Sequence, residues 1–125
     1  MRPATGSVTM GAMAKYLISF PSGEMQLGPG GLAAAAEESH AVVREAKAAG
    51  VWVFGGGIDE SVPPVRVAAD GTVTPGTYPQ TARLEGGYTV LDVPTREVAL
   101  EWAARIAAAC RCAQEVRAFQ DDPES

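Results

Sequence analysis

Histidine is the side-chain type that takes up and releases a proton near neutral pH, and this sequence contains one, His40. A lone imidazole can act as a general base when a carboxylate orients its ring. The acidic residues that could do so are Asp59 and Glu60, just past the run Gly55-Gly56-Gly57. His40 as base with Asp59 as orienter is therefore the candidate catalytic pair. The competing reading leaves His40 as a half-exposed helical residue with Glu37 one turn back. Trp52, Phe54, Tyr78 and Tyr88 stand on or beside expected strands and form, with Arg83, the candidate ligand-binding set. They offer flat apolar bodies with polar handles, and a guanidinium for an anionic group. Core and dimer packing accounts for the aromatics equally well, and a surface ion pair accounts for Arg83.

Other residues that could carry chemistry have plainer readings. The glycine run could let a ligand approach the backbone, yet no Gly-Lys-Ser/Thr follows it and no helix starts behind it, so it is not a phosphate loop. A bulge or tight chain crossing is the favoured reading. Cys110 and Cys112 are too close together for an unstrained bridge, and no further cysteine is present to complete a zinc set. They are expected as soft apolar residues at the start of a strand. No metal and no cofactor is implied.

The elements that must position these residues follow from periodicity. Residues 14–20 are apolar on both alternating faces and predict a strand. Residues 32–49 carry a helical stripe of Ala35, Ser39, Val42, Val43, Ala46 and Ala49, closed by Gly50 at a left-handed cap. Residues 51–54 predict a short strand. Residues 65–69, Asp70-Gly71 and 72–74 predict a hairpin with a type I′ turn. Residues 75–87 read as a loop, and 88–93 as a strand. Thr95 caps a helix whose stripe runs through Val98, Ala99, Trp102, Ala103, Ile106 and Ala109. A last strand spans 112–119. The order β-α-β, hairpin, β-α-β predicts an α+β fold of the ferredoxin-like split βαβ type with an extra hairpin. Its two helices cover one sheet face. The other face, made of strands apolar on both sides, asks for a second copy, so a homodimer is expected.

The chain has 125 residues, enough for one domain, and is divided into an N-terminal extension (1–13), a folded domain (14–120) and an acidic tail (121–125). The net charge is −5, and no Lys/Arg cluster interrupts it. Nucleic acid and anionic membrane surfaces are therefore not expected partners. No apolar run approaches a membrane span, and residues 1–12 hold no signal-like apolar stretch, so a cytoplasmic location is expected. Two free thiols suit that reducing compartment.

Several strings together resemble the YCII-related (DGPF-domain) family. They are Lys15 through Phe20, Ser39-His40-Ala41-Val42-Val43, Ala49 through Gly57, Gly86-Gly87-Tyr88, Ala99 through Ala103 and Glu115-Val116-Arg117. The resemblance spans roughly residues 14 to 120. It implies a dimeric α/β barrel and, in some members, a His with a nearby Asp in small-molecule lyase or elimination chemistry. It also implies an association with alternative sigma factors, and so with transcriptional regulation. One departure stands out. The family signature, Asp-Gly-Pro-aromatic followed by an acidic run, aligns with Pro75 through Arg83, where the acids are replaced by Pro75, Gln80 and Arg83. Two functions remain open: a dimeric module binding a small molecule or a partner, and a lyase or isomerase acting on a small aromatic or carbonyl compound. The lost carboxylates favour the module.

Overall fold

Alternation along two long strands decides which side of the sheet the helices cover. The structure, a computed structural model, describes residues 13–125. Its strands are β1 (Ala14–Pro21), β2 (Trp52–Gly57), β3 (Val65–Val67), β4 (Val73–Pro75), β5 (Gly86–Val93) and β6 (Glu115–Ala118). Its helices are α1 (Gly31–Ala48) and α2 (Arg96–Cys110). The expected N-terminal extension lies outside the described residues except for Met13, which is exposed.

β1 pairs antiparallel with β5 and β6, and β5 with β2, giving one four-stranded sheet in the order β2-β5-β1-β6. Tyr16 stands opposite Leu91 and Ala14 opposite Val93, so Tyr16, Ile18, Leu91 and Val93 share a face. That face meets Ala46 of α1 and Ala99, Trp102 and Ala103 of α2 to form the core. Ile18, Leu91 and Val93 are fully buried, and each contributes about 1.5–3 kcal/mol through burial. The chain is thus a mixed α+β domain with both helices on one face of an antiparallel sheet. The sheet is open, with β2 and β6 as its edges. By register Leu17, Phe54 and Val90 lie on the face away from the helices.

The helix ends follow their sequence signals. Gly50 takes φ 76° after α1, and Thr95 Oγ1 accepts from the Val98 N–H at 3.2 Å at the start of α2. After α2 the left-handed position falls to Arg111, φ 60°, a residue type that strains there. Its guanidinium donates to both carboxylate oxygens of Glu38, at 2.8 and 3.1 Å, and its carbonyl accepts the Gln26 N–H at 3.1 Å. One residue therefore ties the end of α2 to α1 and to the loop before it.

Three expectations are corrected. The hairpin turn is not type I′, which needs positive φ at both central residues; only Gly71 has it, at 90°. Instead Ala68 N–H donates to the Thr72 carbonyl and Gly71 N–H to the Ala68 carbonyl, closing a loop of three residues with a glycine bulge. The Asp70 carboxylate accepts the Thr72 N–H at 2.9 Å and fixes that turn. Pro75 is not a loop residue but ends β4, where its missing N–H does no harm at an edge. Cys110 and Cys112 do not begin a strand: Cys110 closes α2, Cys112 lies in the following turn, and β6 starts at Glu115.

Candidate functional site

Where a sheet offers glycine instead of a side chain, the helices above it have nothing to pack against. Gly55 stands opposite Thr89 and Gly57 opposite Gly87, while Gly87 also faces Phe20 across β1. β2 runs straight through the glycine triplet because its ladder with β5 supplies the hydrogen bonds; the bulge lies earlier, between Trp52 and Phe54. The result is a cleft of about 580 Å³ between the helix layer and the glycine end of the sheet. That volume falls within the range of small-molecule sites.

Aromatic rings make part of its wall. A Cβ on Gly55 would lie 2.5 Å from Trp52 Cη2, and one on Gly87 would lie 2.5 Å from Phe20 Cε1. Both glycines are therefore places where a ring rests directly on backbone. From α1 come Ser39, His40, Val43 and Lys47, spaced so that one helix side borders the opening. The Lys47 ammonium stands 6.0 Å from the Trp52 ring centroid, the outer limit of a cation–π contact. Ile58 and Glu60 close the strand end, and Trp102 and Cys110 reach in from α2. Burial pushes the Cys110 thiol up, with Cys112 adding to the shift, so it favours its neutral form there.

The structure divides the residues expected at a site. His40, Trp52, Phe54 and Tyr88 all border the cleft. Asp59 does not: its Oδ1 accepts from the Ser61 hydroxyl at 2.6 Å and the Ser61 N–H at 3.0 Å, which holds its carboxyl below the usual range. His40 is exposed, and among the described residues its imidazole has no hydrogen-bonded carboxylate. Arg83 lies in a second, smaller depression of about 280 Å³, beside Leu17, Ser19, Glu115 and Arg117. Tyr88 borders both, its hydroxyl donating to the Leu84 carbonyl at 2.7 Å. Tyr78 joins neither; it is exposed, with the Arg66 guanidinium 5.8 Å from its ring.

Sequence reasoning missed Lys47, Phe20 and Ser39 as site residues, and did not single out Glu60 over Asp59. Lys47 lies two helical turns beyond His40, a spacing that could have revealed it. Phe20 enters only through its register with Gly87, which no local string announces.

No protein-family model matches the chain, and no curated protein matches it. Among the described residues no cluster of His, Cys, Asp and Glu is placed to hold a metal ion, and no helix is long and apolar enough to cross a membrane.

Proposed function

We propose that this protein is a cytoplasmic small-molecule-binding module, working as a homodimer, with the cleft under α1 as its ligand site. The observation that carries the reading is the cleft itself: glycine-paved, bordered by Phe20, Trp52 and Trp102, with few polar side chains. The charged or titratable ones near neutral pH, His40, Lys47 and Glu60, stand among the hydroxyls of Ser22, Ser39, Tyr88 and Thr89, a set that suits the orientation of one ligand better than a reaction with several proton transfers. Among the described residues no carboxylate hydrogen-bonds to His40, and Asp59 is committed to Ser61. The resemblance to YCII-related proteins agrees with this reading and adds the expectation of a dimeric barrel, formed when two open sheets close on each other. The same resemblance links the module to transcriptional regulation.

A thermal-shift screen of small carboxylic acids, aromatics and carbonyl compounds tests the site, run on wild type and on Ser39→Trp, which fills the cleft from α1. A ligand at about 100 times its Kd stabilises by about 2.7 kcal/mol, a shift of several degrees. That shift should vanish in Ser39→Trp. A screen without any binder, or binding indifferent to Ser39→Trp, overturns the reading.

A second reading, a lyase or isomerase with His40 as base, draws on one observation: Glu60, not Asp59, shares the cleft with His40. Proton-transfer help is worth about 10²-fold or more. Turnover that survives His40→Ala would sink it.

A further inference from the structure

A glycine inside a strand marks a place where something approaches the backbone closely. Gly55, Gly57 and Gly87 share the sheet face under the helices. Gly57 stands opposite Gly87, Gly87 opposite Phe20, and Gly55 lies two residues earlier on the strand of Gly57. The chain's own rings account for two of the three. Trp52 rests on Gly55 and Phe20 on Gly87, where a Cβ would lie 2.5 Å from each ring. Gly57 is different. A Cβ there would meet only the Gly86 carbonyl oxygen, at 3.6 Å, an ordinary contact, and no side chain. Its φ is not positive, so the backbone does not require glycine either. Gly56, also free of neighbours, belongs to the opposite face with Tyr88.

The bare floor at Gly57 has a definite size. Neighbouring strands lie about 4.8 Å apart, which sets the distance to Gly87 and the Phe20 ring upon it. Two residues along a strand span about 6.7 Å, which sets the distance to Gly55 and the end of the Trp52 indole. Aromatic pairs form with centroids about 4.5–7 Å apart, so a ring centred over Gly57 would meet both neighbours inside that window. Polar groups stand near the same end of the cleft. Lys47 lies by Trp52 at the start of β2, so His40, about 10 Å back along α1, lies toward the glycine end. Glu60 follows Gly57 by three residues, and both His40 and Glu60 border the cleft.

We propose that Gly57 is the floor of an aromatic-ring subsite, where a single six-membered ring of the ligand lies against bare backbone between the Trp52 and Phe20 rings, with its polar substituent directed to His40 or Glu60. This rests on the ligand-site reading of the cleft given above, and deepens it by naming the ligand class and the residue that selects it. The strand itself does not need glycine here. A β-branched side chain suits a strand better, and replacing glycine reduces the freedom of the unfolded chain. Without ligand, Gly57→Val should therefore melt no lower than wild type, while its isopropyl group takes the place of the ring.

The experiment follows the indole N–H signals of Trp52 and Trp102, the two tryptophans of the chain, by NMR. Phenol, benzoate and benzylamine are titrated to millimolar concentration, each beside its cyclohexane counterpart. At least one aromatic should move the Trp52 signal of wild type, and its saturated counterpart should bind about 5-fold or more weakly. Gly57→Val should weaken that aromatic about 10-fold or more with Tm unchanged or raised, and Gly57→Ala, adding one methyl, should weaken it less. If no aromatic binds wild type, the subsite is overturned; the cleft as a ligand site falls only if the thermal-shift screen also finds no binder. Binding that Ser39→Trp abolishes but Gly57→Val leaves intact overturns the subsite and leaves the cleft standing. A saturated ring that binds as well as its aromatic counterpart does the same. A Gly57→Val protein that melts several degrees below wild type also overturns the subsite, because Gly57 would then serve the fold.

Discussion

Replacing Gly86 with alanine should separate a glycine the fold requires from glycines that only shape the cleft. Gly86 has φ 138°, and a Cβ there would collide with the Phe20 carbonyl oxygen and lie 2.9 Å from the Ser22 nitrogen. Both are backbone atoms, and neither can rotate away. Gly86 is paired with Pro21 across β1, and its carbonyl accepts the Ile58 N–H at 2.8 Å, so any shift propagates into two connections. The unfavourable backbone alone costs about 1–3 kcal/mol. With the collision added, a loss of about 3 kcal/mol or more follows, which lowers Tm by about 10 °C in a chain of this length. Gly55→Ala meets Trp52 Cη2 at 2.5 Å, but an indole can swing. Its signature should be a changed tryptophan emission with a smaller loss of stability. Gly56→Ala meets nothing within 4 Å and has no positive φ, so it should be neutral or stabilising by about 0.4–1 kcal/mol. Thermal unfolding by circular dichroism orders the three. A Gly86→Ala protein that melts within a degree or two of wild type would refute the reasoning.

The Glu38–Arg111 pair predicts a pH signature. Hydrogen bonding by Arg111, then its charge, holds the Glu38 carboxyl below its usual range, so the pair stabilises above the carboxylate range and stops doing so as pH falls through it. Glu38→Gln should therefore melt below wild type at pH 7, with the gap closing toward pH 3; a gap independent of pH contradicts this. For the thiols, burial is the leading cause that pushes both Cys110 and Cys112 up, and Cys110 is the more buried. A disulfide reagent at neutral pH should modify Cys112 slowly and Cys110 only on unfolding; rapid modification of both would count against the packing at the end of α2.

The parts of the fold that could be read in advance are those where local pattern and tertiary packing agree. The α2 stripe of Ala99, Trp102 and Ala103 is the stripe that is buried, and Thr95 caps it as its type suggests. Local pattern ends β2 at Phe54 because glycine has low strand propensity, a preference that the ladder with β5 overrides. The turn type is not legible in the string, because Asp70-Gly71 serves a three-residue loop as readily as a two-residue one. What tipped the balance is the Asp70 side chain capturing the Thr72 N–H. At the site, His40 and Trp52 could be picked by type, whereas Phe20 depended on register. The string Asp59-Glu60-Ser61 carries a reason against Asp59 as the orienter: an aspartate two residues before a serine can satisfy itself locally, as Asp59 does here.

The positions of Pro75, Gln80 and Arg83 bear on the choice between binding and catalysis. Pro75 ends β4 and Gln80 lies in the short helical turn Pro79–Thr81; both are exposed, and neither borders the cleft that holds His40. Arg83 faces the second depression on the other side of the sheet. Within one chain, then, acids at these three places would not stand beside the imidazole. The cleft, by contrast, depends on Gly55, Gly57 and Gly87 and on the rings laid over two of them. The glycines and rings give the cleft its shape, and no carboxylate from these three positions enters it. Such a shape, with no relay beside His40 from these positions, is what the binding reading proposed above calls for.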